Sequence, residues 1–495
     1  MLSDLVREFP VQLAEDSVNY WIYIDVTEFK GKTIYLSSPA SANSLCRIYQ
    51  DEQINGSDSL YRENNRPQYH FTVKRGWSND VNGPVYYNNQ YHLFWQAFPF
   101  GLSWNTAFMY WGQAISKDLL HWKELSPALM PDSLGSPWSG SAVIDKNNDG
   151  GWGKDAMVLY YTAFDRVSGK QVQCIAYSND NCATFKRFAG NPVIDSNWEM
   201  QTTDTRDPHV FWHEPSKHWI MVLLEKDGLS FYNSTDMKKW AKQSHFKGLW
   251  ECPDFFELAV DGNEQNKKWV LHGGSAEYFL GSFDGKKFTP ESERLRYCDE
   301  GKEDQGDLLY AAQSFANMPD NRRVQMAWGR INHPGMPFTQ MMLFPTEFLL
   351  KTTKNGIRLV ANPVQEITQL HEKSYEWRSE TVRNINPELE KIKPGPIHVK
   401  LNFTLEKGNS LRISYRGEEF LNLSPEDLDK GDNKLEILID KSVAEIFVNN
   451  GMHYIVKSLR KVRNDDGLWF NSERYGPYIN HMELFEMKSI WNTAD

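Results

Sequence analysis

The sequence predicts an all-β protein. A β-propeller is expected over residues 62–350 and a β-sandwich over 376–495, with a linker at 351–375 and a small β segment at 1–61. Three observations carry this. Short runs rich in β-branched and aromatic residues alternate with Gly, Asn, Asp and Pro clusters. A turn pattern recurs along the first two thirds of the chain. Beyond residue 376 the strands alternate apolar and polar.

In chain order, Tyr20–Ile24 is the first strand-like run. Val85–Tyr87 and Tyr91–Trp95 follow, and Asn88-Asn89 between them reads as a tight hairpin turn. Met157–Tyr161 and Trp219–Leu224 are further short apolar strands. The recurring pattern is a strand end, a Ser/Asp turn and then an aromatic that begins the next strand. It occurs at Ala114–Trp122, Tyr177–Phe185 and Tyr232–Trp240, and more loosely at Phe279–Phe288. A spacing of about 50 to 65 residues is the period expected when each propeller blade is one four-stranded sheet. Pro387–Lys393 reads as a brief helical or extended connector. Ile397–Phe403 then alternates strictly, as a half-buried sandwich strand does.

At 495 residues the chain exceeds one ordinary core, so two or three domains are expected. Its 18 Trp, 22 Tyr and 27 Phe suit either sugar stacking or the filling of β-sheet cores. A net charge of −11 argues against nucleic acid and against anionic membranes, and is compatible with a neutral substrate. Cys46, Cys174, Cys182, Cys252 and Cys298 are scattered, without zinc-like spacing. Free buried thiols are expected, with a Cys174–Cys182 pair across a hairpin as the alternative. No apolar run is long enough for a membrane-spanning helix. Met1–Phe9 lacks the basic and apolar regions of a signal peptide. The expectation is an exported protein whose signal is absent from this chain, or a truncated form, with a cytoplasmic location as the alternative.

Three acidic segments stand out: Trp77-Ser78-Asn79-Asp80-Val81-Asn82-Gly83, Thr205-Arg206-Asp207-Pro208 and Trp250-Glu251-Cys252-Pro253. Each sets one carboxylate beside an aromatic, an arginine or a turn-former. Taken singly, each also reads as an ordinary turn or ion pair. Their order and spacing resemble those of glycoside hydrolase family 32, whose members cut β-fructofuranosyl bonds in sucrose, inulin and levan. Leu435–Gly451 is similar to a signature of that family's C-terminal sandwich, and Leu5–Phe9 with Asp25–Lys32 resembles an N-terminal extension of its bacterial fructan-degrading members.

The resemblance implies a five-bladed propeller and a retaining hydrolysis with two carboxylates. Asp80 would be the nucleophile, Glu251 the acid/base and Asp207 the transition-state stabiliser that grips two ring hydroxyls. Trp77 and Asn79 would line the pocket. Trp250, Cys252, Pro253 and Phe255 would make Glu251's surroundings apolar and raise its pKa, and Arg206 would help keep Asp207 ionised. Gln96, Trp104, Trp111, Ser141, Asp304 and Tyr310 match further substrate-binding positions, each equally readable as core filler. No metal and no cofactor is implied. Val81, Ala97 and Gln113 depart from the usual pattern and are expected around the pocket rim. The resulting expectation is a hydrolase that releases fructose from levan or inulin. Sucrose cleavage, endo-action and fructosyl transfer are the alternatives, and a non-catalytic glycan-binding propeller is the reading outside the enzyme class.

Overall fold

The computed structural model describes residues 10–11, 21–33, 35, 48–53, 56–196, 202–299, 307–459, 467–471 and 476–491. Its elements are almost entirely strands. Blade one is β1 (Gly76–Tyr87), β2 (Gln90–Phe98), β3 (Tyr110–Ser116) and β4 (Trp122–Leu129). Blade two is β5 (Ser136–Asp145), β6 (Ala156–Phe164), β7 (Gln171–Ser178) and β8 (Lys186–Arg187). Blade three is β9 (Thr205–His213), β10 (His218–Glu225), β11 (Gly228–Ser234) and β12 (Ala241–Lys247). Blade four is β13 (Asp254–Val260), β14 (Asn263–His272), β15 (Glu277–Phe283) and β16 (Phe288–Pro290), with β17 (Leu295–Arg296) on β15. Blade five is β18 (Leu309–Ser314), β19 (Val324–Gly329), β22 (Thr346–Thr353) and β23 (Gly356–Pro363). Of the short strands between these, β20 (Phe338–Thr339) pairs in parallel with β1 and closes the ring, and β21 (Met341–Met342) pairs with β19.

The recurring Ser/Asp pattern is the turn between third and fourth strands. In blade one Asp118 Oδ1 accepts Leu120 and His121 N–H at 3.0 and 2.9 Å, and in blade three Asp236 Oδ1 accepts Lys238 and Lys239 N–H at 3.0 and 2.8 Å. Inner strands approach closely. Gly83 has φ +51°, and a Cβ there would fall 2.1 Å from Ala142 N on β5, so only glycine fits.

The sandwich has a six-stranded sheet in the order β24-β32-β25-β28-β29-β30, with β24 (His371–Thr381), β25 (Ile397–Thr404), β28 (Asp432–Asp440), β29 (Val443–Val448), β30 (His453–Ser458) and β32 (Tyr478–Met487). It packs on β27-β26-β31, which are Glu418–Leu423, Leu411–Tyr415 and Leu468–Asn471. Val399, Leu401, Phe403, Ile413, Ile437 and Ile446 fill the space between the two sheets. The β28–β29 hairpin also carries the joint to the propeller. Asp440 accepts the backbone N–H of Gln68, Tyr69 and His70, and both imidazole nitrogens of His70 are held, by Asp440 Oδ2 at 2.9 Å and Glu445 Oε1 at 2.6 Å.

Some expectations are corrected. Residues 351–375 are not a free linker: they hold the end of β22, all of β23, a 3-10 turn at Gln365–Leu370 and the start of β24. Their exposed positions are polar because these are outer strands with one face in water, which disguises the alternation. The helix α1 (Val382–Leu389) lies earlier than the expected Pro387–Lys393 connector. Within 1–61, Asp25–Lys32 contains a 3-10 turn at Thr27–Phe29, started by Asp25 Oδ1 accepting Thr27 N–H at 2.9 Å; Leu5–Phe9 lies outside the described residues. Cys174, Cys182, Cys252 and Cys298 are free and buried. Among the described residues, no helix is long and apolar enough to cross a membrane.

Candidate active site

Each of the five inner strands brings a polar group to the same mouth of the central channel. Asp80 and Ser139 lie near the starts of β1 and β5, Asp207 near the start of β9, Glu251 and Cys252 just before β13, and Tyr310 near the start of β18. Residues far apart in sequence therefore meet, because the strands converge radially. Asp80 Oδ2 accepts Ser139 Oγ–H at 2.7 Å. Cys252 Sγ is 3.7 Å from Asp80 Oδ2 and 3.7 Å from Asp207 Oδ2, which ties the two acids to one small volume. Glu251 is held at both oxygens: Arg206 Nη2 donates to Oε1 at 2.7 Å and Tyr310 OH to Oε2 at 2.6 Å.

The backbone is unusual at this mouth. Asp207, Glu251 and Cys252 have φ of 61°, 46° and 43°, a region non-glycine residues rarely occupy. Surrounding hydrogen bonds hold it: Thr162 Oγ1 accepts Asp207 N–H at 3.0 Å, and Asp207 Oδ2 accepts Cys252 N–H at 3.0 Å.

Burial dominates the electrostatics. It raises the Asp80 acid above the usual carboxylate range, with Glu251's charge adding and Ser139, Asn79 and Arg330 opposing. Burial pushes Asp207 up to about 7; Arg206 opposes this, and Glu251 and Asp80 add to it. Arg206 thus does not keep Asp207 in the ordinary range, because burial outweighs its charge; its nitrogens donate to Glu251, Asp204 and Gln171. Burial and the neighbouring carboxylates keep the Cys252 thiol and the Tyr310 phenol protonated, as donors.

An acid raised by folding is stable while protonated and becomes a liability once charged. For Asp207 the strain is absent below its unfolded value near 4 and complete above about 7. Asp207→Asn keeps the acceptor for Cys252 N–H and removes the charge. It is expected to raise the melting temperature at pH 8 by the equivalent of ~2–4 kcal/mol, with little gain at pH 4, while turnover is lost. Equal shifts at both pH values would refute this.

Other expected residues fall into place unevenly. Trp77 donates from Nε1 to Asn79 Oδ1 at 2.8 Å and stands edge-on to Trp328, with centroids 6.1 Å apart. Trp104 is 40 % exposed and lies tilted against Trp138 at 6.1 Å. Trp138 in turn stacks on Phe164 at 4.2 Å. Gln96 is fully buried and donates to Pro137 O at 3.1 Å. Trp111 is a core residue against Phe94 and Tyr161, with no surface for a ligand. Ser141 is buried too, donating to Pro208 O at 2.7 Å and accepting Val210 N–H at 3.0 Å, and so fastens β5 to β9. The residue of that segment that meets Asp80 is Ser139; a register shift between Trp138 and Gly140 turns it inward, and simple alternation does not reveal this. Asp304 lies outside the described residues. Val81, Ala97 and Gln113 are buried within strands rather than set around the rim. Glu251's surroundings are more polar than expected, since Arg206 and Tyr310 hold it while Phe255 packs away against Phe211 and Trp269. Thr162, Trp328 and Arg330 were not singled out from sequence.

A cavity of about 870 Å3 lies further along the same inner strands, lined by Ala142, Val210, Phe255 and Gln313. Its lining includes none of the three acids. Among the described residues, no group of His, Cys, Asp and Glu is placed to hold a metal ion.

Comparison with known proteins decides the family. Residues 70–363 match the family described as Glycosyl hydrolases family 32 N-terminal domain. The chain belongs to glycoside hydrolase family 32. The matched segment carries Asp80, Asp207 and Glu251. A family 32 relative, the levanase of Bacillus subtilis (strain 168), is 35% identical over 88% of this chain and 72% of its own length. The extracellular exo-inulinase of Aspergillus niger is 34% identical over 63% of this chain and 67% of its own. Among solved structures, the exo-inulinase of Aspergillus awamori superposes with a TM-score of 0.74 at 28% identity, covering 87% of this chain and all of that one. Fructan 1-exohydrolase IIa of Cichorium intybus shares the fold, with a TM-score of 0.71 at 22% identity, covering 86% of this chain and 98% of its own. This family 32 chain is a glycoside hydrolase with a five-bladed propeller followed by a β-sandwich.

Proposed function

We propose that this enzyme removes terminal β-fructofuranosyl units from a fructan, levan or inulin, and releases fructose with retention. The observation that carries the reading is the meeting of Asp80, Asp207 and Glu251 at one channel mouth, with Glu251 gripped at both oxygens. The levanase and exo-inulinase names of its relatives support the substrate class. In the first step Asp80 Oδ bonds to the anomeric carbon as the glycosidic C–O bond breaks, and Glu251 gives its proton to the leaving oxygen. In the second, Glu251 takes a proton from water, whose oxygen displaces Asp80. Asp207 binds ring hydroxyls, and its grip strengthens as positive charge develops on the ring. Arg206 and Tyr310 stabilise the carboxylate form that Glu251 reaches after donation. Trp77, Trp104 and Trp138 offer ring faces to sugars. The enzyme works outside the cell, where a polymer is accessible; its Aspergillus niger relative, an extracellular exo-inulinase, supports this.

The test is the product profile of the purified protein on levan, inulin and sucrose at early times. Fructose alone from a polymer is the expected result and names the linkage. Short oligomers would replace exo- by endo-action. No release from any of the three would overturn the reading.

A further inference from the structure

The reaction as proposed leaves one cation of the site without a role. Arg330 follows β19 directly, and its backbone N–H donates to Leu308 O at 2.8 Å. Its guanidinium lies 3.8 Å from the ring centroid of Tyr310 and 4.7 Å from that of Trp328. Among the described residues no carboxylate forms an ion pair with it, and its Nε is buried without a hydrogen-bond partner. Tyr310 and Trp328 are cross-strand neighbours on β18 and β19, their rings edge-on at 6.1 Å. Tyr310 is also crowded by Gly274: a Cβ there would fall 3.0 Å from Tyr310 Cζ. The phenol is thus packed on its surroundings while its hydroxyl reaches Glu251.

We propose that Arg330 is a positioning residue of the hydrolysis. Its flat guanidinium, stacked on Tyr310, fixes the phenol that holds Glu251, and its charge offsets the carboxylates gathered at the mouth. The proposal rests on the reading of Asp80 and Glu251 as the reacting pair. Three acids gather here against two arginines, and Arg206 already serves Glu251 and Asp204. The groups facing Asp80 are Asn79 on its own strand, Ser139 on β5, Asp207 on β9, Glu251 and Cys252 before β13, Tyr310 on β18 and Arg330 after β19. Of these, Arg330 is the cation whose charge pulls the Asp80 acid downward. An ammonium would supply charge but no plane to stack. The two contributions are therefore separable.

The experiment compares Arg330→Lys and Arg330→Gln with wild type in the full chain, reading kcat, KM and the pH profile of kcat/KM on the fructan that wild type hydrolyses. Far-UV circular dichroism and melting confirm that each variant folds. Arg330→Gln is expected to move the acidic limb to higher pH. Arg330→Lys should leave that limb in place while kcat falls roughly tenfold to a hundredfold, the scale of a misplaced catalytic group. A cycle with Tyr310→Phe adds a readout that bulk structure would not move: if Arg330 acts through the phenol, its loss is largely absorbed in the Phe background. An acidic limb unmoved in Arg330→Gln, an undiminished kcat in Arg330→Lys or additive losses in the cycle would overturn the proposal. If wild type releases no fructose, or Glu251→Gln keeps its turnover, the reading of the reacting pair fails and takes this proposal with it. If both of those controls behave as expected and the Arg330 variants match wild type, this proposal alone fails.

Discussion

Glu251→Gln is expected to cut kcat on the polymer by roughly 10²–10⁴-fold, the usual range for a general acid/base, with KM changed far less. The amide keeps the shape and an acceptor for Arg206 but has no proton to give. Both carboxylate oxygens are now bound, at 2.7 and 2.6 Å, so the side chain should stay in place and the loss is chemical. The decisive contrast uses β-fructofuranosyl fluoride, whose leaving group departs without protonation. Glu251→Gln should recover its first step on this substrate, and Asp80→Asn should not, because the anomeric carbon still lacks its nucleophile. Recovery in Asp80→Asn with none in Glu251→Gln would exchange the two roles. Retention of polymer turnover by both variants would leave the carboxylates without a catalytic part.

The second large effect is on stability. His70→Gln is expected to lower unfolding stability by ~3–5 kcal/mol at pH 7, the scale for removing one partner of a buried ion pair. His70, Asp440 and Glu445 are all fully buried, and the glutamine leaves two carboxylates facing each other without the cation between them. Burial alone would lower the imidazole's pKa. Hydrogen bonds and charge from Asp440 and Glu445 overcome it and raise His70 to about 9. The sign follows: a raised cation contributes stability in full below its unfolded value near 6.5, and the contribution fades as pH climbs through about 9. The gap between wild type and His70→Gln, measured by urea melts from pH 6 to 10, should therefore be widest at pH 6, shrink as pH rises, and be small above pH 9. A gap that is constant across this range would show that packing, not charge, holds the joint.

Much of this molecule was legible in its residues. The alternation in Ile397–Phe403 and the Ser/Asp turns at Asp118, Asp180 and Asp236 are local signals, because a strand exposes every second residue and a capped turn needs only its own few atoms. Their spacing was enough to predict a propeller. The three acidic segments named the acids at the mouth, because each acid lies in one short segment, near the start of an inner strand for Asp80 and Asp207 and just before one for Glu251.

Side-chain facing was not legible. Trp111 and Ser141 were expected in the pocket and lie in the core, whereas Ser139 meets Asp80, since a one-residue register shift moves a side chain to the other face of the sheet. The outer strands at 351–375 read as linker because water on one face permits polar residues there. Partners across blades were hidden most thoroughly. Arg206 stands next to Asp207 in sequence but binds Glu251, and Arg330 packs on Tyr310 from another strand. Sequence by itself therefore determined the fold class and the family resemblance and pointed to three candidate acids, all of which depend on short segments. Only the tertiary structure decided what each acid touches, because those contacts are made between inner strands that converge radially, and burial at that meeting point outweighs the charges of sequence neighbours.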